Sequence, residues 1–517
     1  MERGLPGADP LTVIRTLGVN LFGLTGERIE IEVDISNGLP TYSLLGLPDA
    51  TLNESRDRIR SAILNNQLNW PNRKITVSLA PAWIPKSGSA FDLPIALAIL
   101  AASEQIPAKL LNESLIIGEL SLNGEIKNVR GALPMLLKAR ELGITEAIVP
   151  LGNRVEALLV KGMRIRSFAT LAELLNFIRT GQEIIREELE VEAAIELGRD
   201  FSEVAGLSDA KQAVEVAAAG GHHLLMVGAP GAGKTMLAER LPTILPPLIE
   251  SEALEVAGIH SIAGNWSGIT KISNSAPFVA PHHATTIPAL IGGGGVQIRP
   301  GAASLAHRGV LFIDEAPECA SGLLDALRQP LESGEVAITR SHGTARFPAR
   351  FMLVLAANPC PCGKFAGRGR GCSCSSLQIR RYLGRLSGPL LDRVDIRVRV
   401  EPPTRADLSS LELPESSAEI QVRVTRARRR AATRFAGLGF TLNSEIPSRL
   451  LRDQFRAERS AMRILHDLLD REEISARGFH RILRTAWSLA DLVERDVPGD
   501  LEIKSAISLR MGHTTDE

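Results

Sequence analysis

Aromatic side chains make up only 4% of the 517 residues. That scarcity excludes a surface built mainly from stacking platforms for bases. Charge of one sign is also missing: 59 basic residues balance 59 acidic ones, so no overall field draws the molecule onto nucleic acid or anionic lipid, and such a partner must be read from local charge. Long hydrophobic runs are absent. The longest, Phe91 to Ala102, is interrupted by Asp92 and Pro94, which is too short for a bilayer and predicts a core helix. Met1 to Pro10 hold Gly, Pro and Asp with no apolar run after them, so no signal peptide and a cytoplasmic location without membrane contact are expected. Cysteine is rare, five residues, which excludes a disulfide scaffold. Four of the five crowd between Cys360 and Cys374, a pattern for a metal or redox site.

What is present points to several domains, since 517 residues correspond to about three at roughly 150 each. An α/β multidomain fold is expected. Residues 1–180 alternate strand-like runs (Ile29 to Ile35, Lys74 to Leu79, Ala147 to Pro150) with helical patterns (Leu52 to Asn65, Leu93 to Ala102, Leu133 to Leu142). Residues 181–205 read as an acidic helical linker; from 171 to 205 the net charge is −6. Residues 206–400 form a second α/β region with glycine-rich motifs, and 401–517 turn helical after Pro402-Pro403.

The strongest motif follows the apolar strand Leu224 to Val227. Gly228-Ala229-Pro230-Gly231-Ala232-Gly233-Lys234-Thr235 matches the full phosphate-binding pattern and opens a helix from Met236 to Leu241. Glycines let backbone N–H groups close around phosphates, Lys234 reaches the β and γ phosphates, and Thr235 would ligate Mg²⁺. A buried-type strand, Val310 to Ile313, then ends in Asp314-Glu315; Asp314 would support the Mg²⁺ and Glu315 would polarise the attacking water. A third, Phe351 to Ala356, ends near Asn358, a neutral side chain suited to orienting that water. ATP with Mg²⁺ is the implied cofactor. Each residue alone could be a surface cap; their order along three strand ends argues otherwise.

With these residues, the chain resembles the AAA+ ATPases of the magnesium-chelatase-like family, most closely the ComM/YifB group. Gly46-Leu47-Pro48-Asp49, Ala280-Pro281-His282-His283, Ala357-Asn358-Pro359-Cys360-Pro361-Cys362-Gly363 and Arg385-Leu386-Ser387-Gly388-Pro389-Leu390-Leu391-Asp392-Arg393 are similar to that group's signatures. The resemblance implies an AAA+ P-loop domain with a C-terminal helical lid. It also implies an arginine finger at Arg393, a second-sensor arginine at Arg477, and assembly into a homo-oligomeric ring, a hexamer as in the family. For each arginine a surface salt bridge is the plain alternative.

The front region resembles the proteolytic domain of Lon-type proteases. Yet Ala90 and Leu133 stand where the resemblance would put serine and lysine, so the catalytic dyad is absent. Ser87, Ser89 and Lys86 lie nearby, and the expectation is a scaffold or collar.

From Arg340 to Val400 twelve basic residues meet two acidic ones. A hairpin is expected from Glu335 to Phe347, and in related ring helicases such a hairpin enters the pore, where Arg340 and Arg346 would touch phosphates of single-stranded or branched DNA. Pairing of these arginines with acids at subunit interfaces is the alternative. A second basic run, Arg423 to Arg434, reads as a solvated face or as a contact with the acidic linker. The pairs Cys360/Cys362 and Cys372/Cys374 flank nine residues rich in glycine and could meet in a structural zinc site; free thiols or a redox pair are the alternatives. His282 and His283 read as polar loop residues, with metal or nucleotide contact as alternatives. The runner-up functions are metal insertion of the magnesium-chelatase type and protein remodelling.

Overall fold

A computed structural model describes residues 13–182, 199–264, 274–295, 298–340, 343–365, 371–409 and 414–512. Most of the expected acidic linker and the tip of the expected basic hairpin lie outside them.

Two sheets organise the chain. The first has seven strands in the order Thr41–Leu45, Lys74–Ala80, Thr25–Ser36, Ile14–Phe22, Ser114–Ile116, Glu146–Pro150, Arg164–Phe168. Ile14–Phe22 and Thr25–Ser36 pair antiparallel across a tight turn at Gly23-Leu24, and the last three strands run parallel. The apolar run expected as a core helix forms Asp92–Ala102, buried from Asp92 to Ala101. Its single carboxylate needs a partner at that depth. Arg58 supplies one from helix Ser55–Asn65, with Nε and an NH2 group 2.7 and 2.9 Å from the Asp92 oxygens.

The second sheet is five-stranded and wholly parallel, in the order Phe278–Val279, Val310–Ile313, Met352–Ala357, Leu224–Gly228, Ile396–Val400. Such strands are covered on both faces and so read as continuous apolar runs. Val310–Ile313 and Met352–Ala357 are buried at every residue. Helices Ser417–Arg434, Ala476–Leu492 and Asp500–Met511 share one apolar core with this sheet and helix Ser208–Gly220.

The second basic run serves that packing. Arg423 pairs with Glu215 and Glu415, Arg426 with Glu494, Arg430 with Asp496, and Arg434 with Asp491, while Arg428 donates to the Ala218 carbonyl. Glu215 and Asp491 lie on neighbouring helices and Glu415, Glu494 and Asp496 in the segments between helices; none of them comes from the linker. The described end of that linker is also no solvated helix: Phe201 is buried in a short turn, with its N–H on Ser417 Oγ, and Asp200 and Glu203 bind Arg240.

Sheet and C-terminal helices are joined by a buried polar cluster. Arg481 sits 2.5 Å from Asp395, His222 Nδ1 lies 3.3 Å from the same carboxylate, and His222 Nε2 meets Ser488 Oγ at 2.7 Å. Burial alone would raise the Asp395 pKa, but Arg481 and His222 outweigh it and hold the group well below the usual range. Asp395→Ala leaves Arg481 without its partner, and a loss of about 3–5 kcal/mol is expected, read as a lower thermal midpoint. The pH dependence has a definite sign. Asp395, depressed when folded, stabilises above the ordinary carboxylate range, and that contribution is lost as pH falls through its folded value. Burial pushes His223 down to about 4 from 6.5, so the unfolded chain binds that proton first and stability declines as pH falls across this window. Thermal midpoints measured from pH 7 to 4 should therefore fall through His223, the Asp395 contribution being lost only below about pH 4, and a flat profile would contradict the burial of His223.

Candidate functional site

The carboxyl ends of three adjacent parallel strands meet at one place, where ligands bind in open α/β sheets. Gly228 ends the first, and a Cβ there would lie 2.4 Å from the Val400 carbonyl, so only glycine fits. The motif then turns through left-handed Gly231 and Gly233 into helix Lys234–Ile244. Lys234 is buried and donates to the Gly228 and Ala229 carbonyls at 2.7 and 3.0 Å and to Asn358 Oδ1 at 3.3 Å. Burial lowers its pKa. Thr235 Oγ1 donates to Asp314 Oδ2 at 2.9 Å, and the Glu315 N–H to Asp314 Oδ1 at 2.8 Å. Lys234, Thr235, Asp314 and Asn358 are thus brought together, with Glu315 beside them. Ala229, Pro230 and Ala232 complete the loop.

Glu315 has φ +48, a conformation rare for a residue with a side chain. His283, expected as a polar loop residue with metal or nucleotide contact as alternatives, places Nδ1 3.2 Å from its Oε2. Nothing in the spacing of the two stretches revealed that meeting, because they approach across neighbouring strands.

Arg393 and Arg477 lie elsewhere. Strand Ile396–Val400 runs parallel to Leu224–Gly228, with Ile396 opposite Leu224 and Val400 opposite Gly228. Arg393, in the turn three residues before Ile396, is therefore at the sheet end away from the phosphate loop, beyond a strand about 13 Å long at about 3.3 Å per residue. There it pairs with Glu332 and donates to the Pro389 carbonyl at 2.6 Å. Arg477 lies 3.6 Å from Asp392 with its side chain 75% exposed, and both arginines line one cleft with His480 and Arg484. The preceding signature is anchored from below: Leu386 and Leu390 are buried, and Ser387 binds Asp325 and Arg328.

The expected basic hairpin forms as Glu335–Arg340 paired with Gly343–Pro348. Arg346 pairs with Glu335 inside the hairpin, its side chain 62% exposed, and Arg340 Nε donates to the Gly294 carbonyl at 3.1 Å. Gly294 follows a second, smaller ladder, Gly292–Gly293 against Arg299–Pro300. That ladder was not read from the sequence, because four consecutive glycines carry no alternation to betray a strand. The turn of the first sheet docks on the main hairpin: a Cβ on Gly23 would lie 2.9 Å from the Arg346 carbonyl, and Phe22 and Leu24 join the apolar cluster of Ile338 and Ala345. Helix Glu250–Ala263 completes the joint, with Ser261 Oγ 2.6 Å from buried Glu156 and its carbonyl accepting from the Gly131 N–H.

At the loop from Ser87 to Ala90, Ser89 Oγ is held by Glu119, buried Lys86 donates to the Pro81 carbonyl, and the N–H groups of Ser87 and Gly88 go to Asn20 and Asp49.

Four thiols meet beside the phosphate loop. Cys360, Cys362, Cys372 and Cys374 offer sulfurs all within 4.8 Å of one another, with Cys360–Cys362 at 3.3 Å and both of these 3.6 Å from Cys372. The Lys364 N–H and the neighbouring thiols pull the Cys362 thiol down to about 6. The fifth, Cys319, stands apart, its thiol pushed up by burial to about 11.

Three family models match: subunit ChlI of Mg-chelatase over residues 31–153, magnesium chelatase subunit ChlI over 200–408, and its C-terminal part over 414–510. An uncharacterized protein of Mycobacterium tuberculosis is 48% identical over 96% of this chain and 98% of its own. The competence protein ComM of Haemophilus influenzae is 40% identical over 91% of this chain and 92% of its own. YifB of Escherichia coli is 39% identical over 97% of each. Among the described residues no helix is long and apolar enough to cross a membrane.

Proposed function

The chain belongs to the magnesium-chelatase-like ComM/YifB family, and from that premise we propose that it is an ATP-hydrolysing ring motor acting on single-stranded or branched DNA. The observation that carries the hydrolytic half is the convergence of Lys234, Thr235, Asp314 and Asn358 at three strand ends. Lys234 would exchange its carbonyl partners for the β and γ phosphates, and Thr235 with Asp314 would hold Mg²⁺. Glu315 polarises the attacking water and Asn358 orients it. A bound Mg²⁺ supplies charge neutralisation across the phosphates.

The opposite end of the same sheet supplies the ring. Arg393 is too far from its own phosphate loop to assist there, so its transition-state contact is made on a neighbour's nucleotide, with Arg477 of the helical lid beside it. A surface that gives to one neighbour and a pocket that receives from another is a heterologous contact, which closes into rings. A hexamer matches the family.

DNA as the substrate is supported by the excess of basic residues from 340 to 400, by exposed Arg346 on a hairpin, and by a competence protein among the relatives. Arg340 and Arg346 contribute sequence-independent phosphate contacts. Arg346→Ala is expected to weaken DNA binding across sequences and to lower the slope of log affinity against log salt by about one. Salt titration of binding by fluorescence anisotropy reads this, and an unchanged slope would remove Arg346 from the interface. The Lon-like front domain acts as a collar that stiffens the hairpin, and the site of action is the cytoplasm. Metal insertion of the ChlI type is the second reading, favoured by the names of the family models.

The cysteine cluster fits structural zinc. Thiolates at about 2.3 Å around a tetrahedral ion are about 3.8 Å apart, close to the spacing of the sulfurs here. Metal analysis of the purified chain is expected to find about one zinc per chain; a chain with intact thiols and no zinc would sink this part.

A further inference from the structure

The cysteine turn touches the phosphate loop at two points. Asn358, two residues before Cys360, holds Lys234 Nζ at 3.3 Å. Gly363, one residue after Cys362, is buried in a left-handed turn with its N–H on the Cys360 carbonyl at 2.9 Å. A Cβ at Gly363 would lie 2.7 Å from Cγ and Cδ of Pro230, so the turn is seated against the crest of the phosphate loop. Ala232 in the same loop is buried, whereas Gly231 is exposed. Around the Cβ direction of Gly231 there is open space within 4 Å, while the loop's base is fixed by Gly228 against Val400. A glycine-rich loop binds phosphate well only if its N–H groups are held convergent beforehand. The far half of the cluster reaches the other wall of the same site: Cys374 leads into helix Ser376–Leu383, and Arg385 after it binds the Pro317 carbonyl and Glu318, just past Glu315.

Resting on the zinc reading above, we infer that the four-cysteine metal site is a clamp on the nucleotide site: zinc fixes Gly363 against Pro230 and thereby sets the affinity for ATP. Without the metal the turn is free to leave, the crest of the loop samples more conformations, and only a fraction of them bind phosphate. Apparent affinity falls by that fraction.

The test is binding of a non-hydrolysable ATP analogue with Mg²⁺ to the full chain, before and after zinc is removed by a chelator, with zinc content measured on the same samples. The dissociation constant is expected to rise about tenfold or more on removal and to return when Zn²⁺, but not further Mg²⁺, is added. Gly363→Ala gives a second arm that needs no extraction. It is expected to keep its zinc and yet bind the analogue more weakly, because the added methyl displaces Pro230. A purified chain without zinc would refute the metal itself. Zinc present, with affinity unmoved both by its removal and by Gly363→Ala, would refute the clamp alone.

Discussion

Lys234→Ala is expected to lower ATP turnover by at least about a hundredfold, the scale of losing one preorganised donor at developing charge. Assembly should survive. Among the described residues the side chain's hydrogen bonds go to the Gly228 and Ala229 carbonyls and Asn358, all within the site, and none goes to the C-terminal helices or the front sheet. Steady-state hydrolysis with size measurement in solution reads both halves. A Lys234→Ala chain with normal turnover would show that the phosphates are held elsewhere.

The second large effect concerns Arg393. Its alanine variant is expected to lose hydrolysis by about 10³-fold or more, the range of an arginine finger. The loss should be repaired in mixtures. Lys234→Ala subunits retain Arg393 and Arg393→Ala subunits retain the phosphate loop, so mixed rings contain sites in which the first completes the second. Turnover that recovers on mixing two inactive preparations is the expected result. Mixed assemblies that form and stay inactive would contradict action between neighbours. Register makes this prediction sharp, because with Ile396 opposite Leu224 and Val400 opposite Gly228 Arg393 lies at the sheet end away from its own Lys234.

Much of the nucleotide site was legible in the sequence because its physics is local. A buried parallel strand reads as an unbroken apolar run and the polar residue that ends it marks the ligand edge, as with Ile313 to Asp314 and Ala357 to Asn358. The glycine loop announces itself by composition. What escaped depends on contacts between distant segments. His283 beside Glu315, Gly23 against Arg346 and Ser261 against Glu156 join pieces that no period or spacing relates. The basic run from Arg423 to Arg434 looked like a solvated face because its charge was visible and its partners Glu215, Asp491 and Glu494 lay on other segments. Arg393 and Arg477 could be named by resemblance, but only strand direction shows that Arg393 lies at the sheet end away from the phosphate loop.

The same contacts connect the site to the hairpins. His283 precedes the short helix Ile287–Ile291 and the glycine ladder, whose Gly294 carbonyl holds Arg340. A pull on either hairpin therefore reaches a residue in contact with Glu315 through about ten residues of chain.

The ATPase rate of the purified chain, measured across salt concentrations without nucleic acid, with single strands and with a four-way junction, tests the central claim most directly. Stimulation by DNA that fades as salt rises is the expected result, since phosphate contacts through arginine release counterions. A rate indifferent to every nucleic acid, in a chain that is assembled and hydrolyses ATP, would contradict the DNA motor and favour metal insertion.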